Sequence, residues 1–98
     1  MSSSVRFLPE VVDDLDSARR WYDERSEGLG KAFLGACSDA LRRIERNPDW
    51  VAADADHIRS LRLHRFPYVI HYRLDGAEIV VVAIMFGGRD PSAWQERD

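Results

Sequence analysis

Apolar residues recur along this chain with two different periods, and the change from one to the other divides it. Val11, Leu15, Ala18 and Tyr22 stand at helical spacing, and Val12 and Trp21 widen the stripe. Pro9 suits the first turn of that helix, where its missing N–H costs nothing. Glu10, Asp13 and Asp14 follow, as the positive end of a helix dipole favours. The pattern runs to about Arg25, and Gly28 and Gly30 break it. A second helix is predicted from about Leu29 to Arg46, with Leu29, Phe33, Ala36, Cys37, Ala40, Leu41 and Ile44 on one face. Lys31, Arg42, Arg43 and Arg46 lie mostly on the other, and Asn47-Pro48 stops the helix. With only a few residues between them, the two helices pack as an antiparallel hairpin.

The remaining segments read as strands. Val5-Arg6-Phe7-Leu8 is a short one at the start. Residues 49–57 form a loop with Trp50 and Val51 as its apolar anchors. In a strand over roughly 58–64, Leu61 and Leu63 face one way and Arg62 and His64 the other. Phe66-Pro67 turns the chain. Tyr68, Ile70, Tyr72 and Leu74 then alternate with Val69, His71 and Arg73, and Asp75-Gly76 is a strong two-residue hairpin signal. Glu78 to Phe86 is apolar at nearly every position, the signature of a central strand covered on both faces. Gly87-Gly88 ends it, and Asp90-Pro91 opens a short helical turn. The fold class is therefore α+β, a single domain over residues 1–98. It has an N-terminal strand, an antiparallel helical hairpin and a three-stranded antiparallel meander forming one sheet.

Ninety-eight residues leave no room for two lobes around a buried cofactor, so no cofactor is expected. The start, Met1-Ser2-Ser3-Ser4-Val5-Arg6, lacks the apolar core of a signal peptide, and no run is long enough to span a membrane. With Cys37 as the only cysteine, the expectation is a cytoplasmic protein. Cys37 itself sits on the apolar helix face as a packing residue.

The net charge is −3, but it divides unevenly: residues 1–56 carry −4 and residues 57–98 carry +1. This acidity argues against tight, direct nucleic-acid binding, because phosphate contacts supply most non-specific affinity. Within it, residues 57–74 hold four arginines, three histidines and no Asp or Glu. Such a stretch is either the solvent side of a hairpin or a surface for an anion or acidic partner. Arg59, Arg62, Arg65, His71 and Arg73 are its candidate contacts, with Arg89 and Trp94 from the tail. Arg89 has a competing role, pairing with Asp90 or another acid to hold the C-terminal turn, and Trp94 a competing role as an aromatic cover of the core. His57, His64 and His71 match no zinc spacing, so no metal site is expected. Asp13, Asp14 and Asp16 are accounted for by a helix start.

The order of these elements resembles the RelE/ParE superfamily, the toxin halves of bacterial type II toxin–antitoxin pairs, with ParE-like plasmid-stabilisation proteins nearest. The resemblance rests on Phe66-Pro67-Tyr68-Val69-Ile70-His71-Tyr72, the aliphatic strand after it, and Arg89-Asp90-Pro91-Ser92-Ala93-Trp94. Asp14-Leu15, Trp21-Tyr22, Phe33 and Pro48 also fall where such proteins place them. It implies a toxin that binds a cellular target such as DNA gyrase and is neutralised by a cognate antitoxin. That antitoxin commonly wraps its toxin as a helix and an added strand.

Two other functions belong to the same resemblance: a ribosome-dependent mRNA nuclease, and a degenerate module that only holds its antitoxin. A nuclease must deprotonate a 2′-hydroxyl and stabilise the charge that follows. Here Lys31 is the only lysine, and neither Tyr nor His follows Phe86, where family members often carry a histidine. His64 and His71 are candidate bases only through their place in the cationic stretch, so no catalytic residue is assigned and enzymatic action is not the expectation.

Overall fold

The computed structural model describes residues 4–88 and 90–97. The elements are β1 (Ser4–Phe7), α1 (Pro9–Arg25), α2 (Leu29–Arg46), β2 (Arg59–Arg62), β3 (Tyr68–Asp75), β4 (Glu78–Phe86) and α3 (Ser92–Gln95). In α1, Pro9 occupies the first turn, and Val11, Ala18 and Tyr22 are buried. The stripe is narrower than its pattern predicts, for Val12 and Trp21 are exposed. Trp21 is covered instead by Arg25, whose guanidinium carbon lies 3.4 Å from the ring centroid. Gly28 takes a left-handed φ of 84° at the turn, a conformation that costs other residues energy.

Phe33, Cys37, Ala40 and Ile44 of α2 are buried, while Leu29, Ala36 and Leu41 pack at the rim. Burial pushes the Cys37 thiol up to about 12, so it stays a packed, protonated group. Gly30 lies inside α2 at the contact with α1. A Cβ there would stand 2.6 Å from the Arg19 carbonyl oxygen and 2.7 Å from the Asp23 carboxylate. That carboxylate accepts the Gly30 N–H at 2.8 Å.

The sheet order is β1-β4-β3-β2. As the sequence predicts, β2, β3 and β4 form an antiparallel meander and β4 is central, with Ile79 through Met85 all buried. The sheet as a whole is mixed, because β1 runs parallel to β4, pairing Ser4 with Glu78 and Phe7 with Val81. Hydrophobic alternation reports a strand's faces and not its direction, so the pattern left this pairing open. The register shifts between Tyr72, opposite Val81, and His71, opposite Ala83, leaving Val82 as the extra residue of a bulge.

The core between hairpin and sheet centres on four rings. Tyr22 stacks on Phe33 at 5.4 Å, and Phe66 meets both edge-on at 4.9 and 5.5 Å. Tyr68 packs against Phe33 at 5.0 Å. Such pairs contribute about 0.5–1.5 kcal/mol each beyond the area they bury. The Tyr72 hydroxyl donates to the Pro48 carbonyl at 2.8 Å, fixing the end of α2 to β3. Val51 packs against the core, but Trp50 is 61% exposed and anchors nothing.

The substitution Gly30→Ala should therefore lower unfolding free energy by about 1–3 kcal/mol, the usual cost of overpacking against backbone. A urea melt followed by far-UV circular dichroism measures it.

Candidate interaction surface

Strand alternation sorts the cationic stretch onto different faces. Tyr68, Ile70 and Tyr72 of β3 turn toward the helices. On the opposite, outer face, Arg62 stands across from Val69, Ser60 from His71, and Arg73 from Val80. Val69 and Arg73 are four residue steps apart along β3, or about 13 Å. Arg62 and Arg73 therefore flank the Ser60–His71 pair from its two ends.

Arg62 is exposed, and its guanidinium lies across the end of β4, 3.5 Å from where a Cβ on Gly87 would stand. Arg65 occupies the β2–β3 turn with φ 73° and sits over the Phe66 ring at 5.3 Å. Arg73 is half-buried and meets Asp75 at 3.5 Å. Arg59 faces elsewhere: its Nη1 donates to the carbonyls of Asp49 (3.0 Å) and Val51, tying the loop after α2 to the sheet. The structure thus brings Arg62, His71 and Arg73 to one face, with Arg65 at its margin. Arg59 is spent on backbone, and Arg89 lies outside the described residues.

Several arginines elsewhere are matched by acids, while Arg25, Arg43 and Arg46 meet none among the described residues. Arg6 pairs with Glu78, Arg19 and Arg20 with Asp16, and Arg42 with Asp39. Arg62 and Arg65 meet no acid among the described residues.

Among the described residues, His71 is the one buried polar or charged residue, 8% exposed. Its Nδ1 lies 2.7 Å from the Ser60 hydroxyl, and its ring stacks on Trp94 at 3.9 Å, 19° from parallel. Burial pushes the imidazole down to about 4, against the opposing influence of the Asp54 carboxylate. At neutral pH it is an uncharged ring in a stack, a weak base for proton abstraction. Trp94 is itself buried and covers the sheet, while Asp90 Oδ1 accepts the Ser92 N–H at 2.9 Å and caps the short turn. No group of three or more His, Cys, Asp or Glu among the described residues is placed to hold a metal ion. No helix among them is long and apolar enough to cross a membrane.

The contact that sequence reading missed joins Asp14 to Arg97. Two N–H···O bonds of 2.7 and 3.0 Å link them, and the side chains are only 10% and 15% exposed. Asp14 also accepts the Ile84 N–H at 3.1 Å, and Arg97 donates to the Val82 carbonyl at 3.0 Å. Asp14 thus does more than favour a helix start, since α1 begins five residues earlier at Pro9. One signal was available. Asp14 falls three residues after Val11 and four before Ala18, inside the buried stripe, where a carboxylate needs a partner. Nothing in the sequence singled out Arg97 as that partner.

The family model described as "ParE toxin of type II toxin-antitoxin system, parDE" matches residues 5–91. The chain belongs to the ParE toxin family. Among solved structures it is similar to a chain of the chromosomal ParDE TA system from P. aeruginosa. The TM-score is 0.74 at 19% identity, over 84% of this chain and 92% of that one, a likeness of fold. No curated protein matches the chain significantly.

The buried His71 makes stability depend on pH. Its ring titrates near 6.5 when unfolded and near 4 when folded. Its contribution is therefore complete above about 6.5 and lost as pH falls through about 4. Asp16 and Asp90, whose carboxyls are held below the usual 3.8 mainly by hydrogen bonds, act only at lower pH. Thermal melts between pH 7 and 4 should show a decline in the parent that is flatter in His71→Phe.

Proposed function

We propose that this chain is the toxin half of a toxin–antitoxin pair and arrests growth by binding a cellular target such as DNA gyrase. A cognate antitoxin neutralises it by covering the same cationic surface. Arg62, Arg65 and Arg73 are the contacts of this surface. His71, covered by Trp94, lies between Arg62 and Arg73, and Arg59 holds the loop beside it. The observation that carries the reading is that Arg62 and Arg65 are exposed at one face and its margin and meet no acid among the described residues, on a chain of net charge −3. Unpaired like charges repel modestly through about 8–10 Å of salt solution, and an acidic partner or phosphate relieves that repulsion.

Binding also accounts for the chemistry of the face better than cleavage does. Its one histidine is neutral, stacked and already bonded to Ser60. In the neighbour of known structure the toxin belongs to a ParDE system, and a small antitoxin is the partner carried over to this chain. Helix-in-groove docking with ordering of a flexible segment would supply the affinity.

Induced expression should slow bacterial growth, and co-expression of an adjacent small reading frame should restore it. Arg62→Ala combined with Arg65→Ala should shift stability by no more than about 0.5 kcal/mol per site. The same pair should weaken antitoxin or target binding by about 2–5 kcal/mol. A thermal melt, an antitoxin titration, a gyrase supercoiling assay and a growth curve test this. Wild-type toxicity and affinity in the double variant would reduce the patch to a solvated strand face. Site-specific cuts in ribosome-bound mRNA would instead make the protein a nuclease.

A further inference from the structure

β1 ends at Phe7, and the last backbone bond on that side of β4 runs from the Leu8 N–H to the Val81 carbonyl. From Val82 onward no strand among the described residues lies beside β4 there. The gap is filled by two side chains: Asp14 accepts the Ile84 N–H and Arg97 donates to the Val82 carbonyl. A carboxylate and a guanidinium, bonded to each other, thus stand in for a strand's acceptor and donor. This is one anchor of the segment from Asp90 to Arg97. The other is Trp94 on His71.

Between the anchors the segment is not packed down. A cavity of about 440 Å³ opens there, lined by Ile58, Arg73, Val82, Trp94, Gln95 and Arg97 together with Asp56. The segment also keeps its own local bonds. Ala93 N–H donates to the Asp90 carbonyl, Gln95 N–H to the Pro91 carbonyl, and Ser92 N–H to the Asp90 carboxylate. These hold its shape without help from the sheet.

We propose that residues 90–97 form a latch that covers His71 and Arg73 on the outer face and opens as a unit while the rest of the domain stays folded. The Asp14–Arg97 pair is suited to this role. Closed, it makes four hydrogen bonds at a protected edge. On opening, both charges regain the hydration that burial took from them, so release costs far less than the bonds suggest. Gly87 and Gly88 precede the segment and put no side-chain restriction on its backbone. The mobile piece then belongs to the low-stability end of the domain's local openings. Opening uncovers the His71 ring and frees Arg73 from the cavity wall. Only its consequence for partners rests on the reading of this face as a binding surface; the opening itself is a property of the chain alone.

The test uses the full chain without a partner. Diethyl pyrocarbonate modifies accessible neutral imidazole, and peptide mass spectrometry reads each histidine separately. His57 and His64 are exposed and serve as internal references. In Arg97→Gln and Asp14→Asn, His71 should react at least tenfold faster relative to those two than it does in the parent. Amide exchange across Ile79–Met85 should stay slow in both variants. In the parent, native-state exchange should show the Trp94 and Gln95 amides opening more readily than that strand core. An unchanged His71 rate in both variants overturns the proposal. So does exchange of residues 92–97 in the parent only through global unfolding, a result that holds even if a variant fails to fold. Loss of toxicity or of antitoxin binding with the latch behaviour intact would instead count against the functional reading.

Discussion

The architecture follows from the fact that β4 has no polar face. Ile79 through Met85 are all buried, so no side of this strand can be left to water. At about 25 cal/mol per Å² of apolar surface removed from water, leaving either face open would forfeit a large share of a small domain's stability. One face is covered by the helical hairpin through Val11, Ala18, Phe33 and Ile44. On the other, Trp94 covers His71 in the neighbouring strand, and the C-terminal segment lies over Val82. The edges obey the same constraint. β3 closes one, β1 closes the first half of the other, and Asp14 with Arg97 finishes it.

Much of this was written locally in the chain. The boundaries of α2 came from Gly28, the apolar spacing from Leu29 to Ile44, and Asn47-Pro48. The meander came from alternation and from Asp75-Gly76, and the central place of β4 from its unbroken apolar run. These are short-range signals, and sequence records them well. The parallel setting of β1 and the Asp14–Arg97 pair join residues more than 70 positions apart, and the bulge at Val82 is a shift of register inside the β3–β4 hairpin. Local pattern is silent about them. The exposed Trp50 and Trp21 show the same limit from the other side. An aromatic in an apolar context reads as core, and only the path of the chain decides whether anything covers it.

The candidate surface was legible as a composition and illegible as a geometry. Eighteen residues without an acid marked it, but alternation across two strands and a turn distributes those residues to three destinations. Arg59 ties a loop, Arg62 and Arg73 take the two ends of the outer face, and Arg65 caps its margin. His71 changed character most. In sequence it was one more cationic candidate; in the fold it is a neutral ring between Ser60 and Trp94. A surface of this kind presents cationic side chains on one face of the sheet.

The parallel pairing of β1 with β4 also bears on when the protein becomes competent. Ser4 finds its neighbour only at Glu78, and the carboxylate of Asp14 waits for a guanidinium 83 residues further on. Contacts of such sequence separation form late, because chain closure must precede any reward from them. During synthesis the helical hairpin is available before the central strand of the sheet. The last ion pair cannot close until residue 97 has cleared the ribosome. The order of elements therefore orders assembly: the sheet and its closing ion pair form only after the helical hairpin has been made.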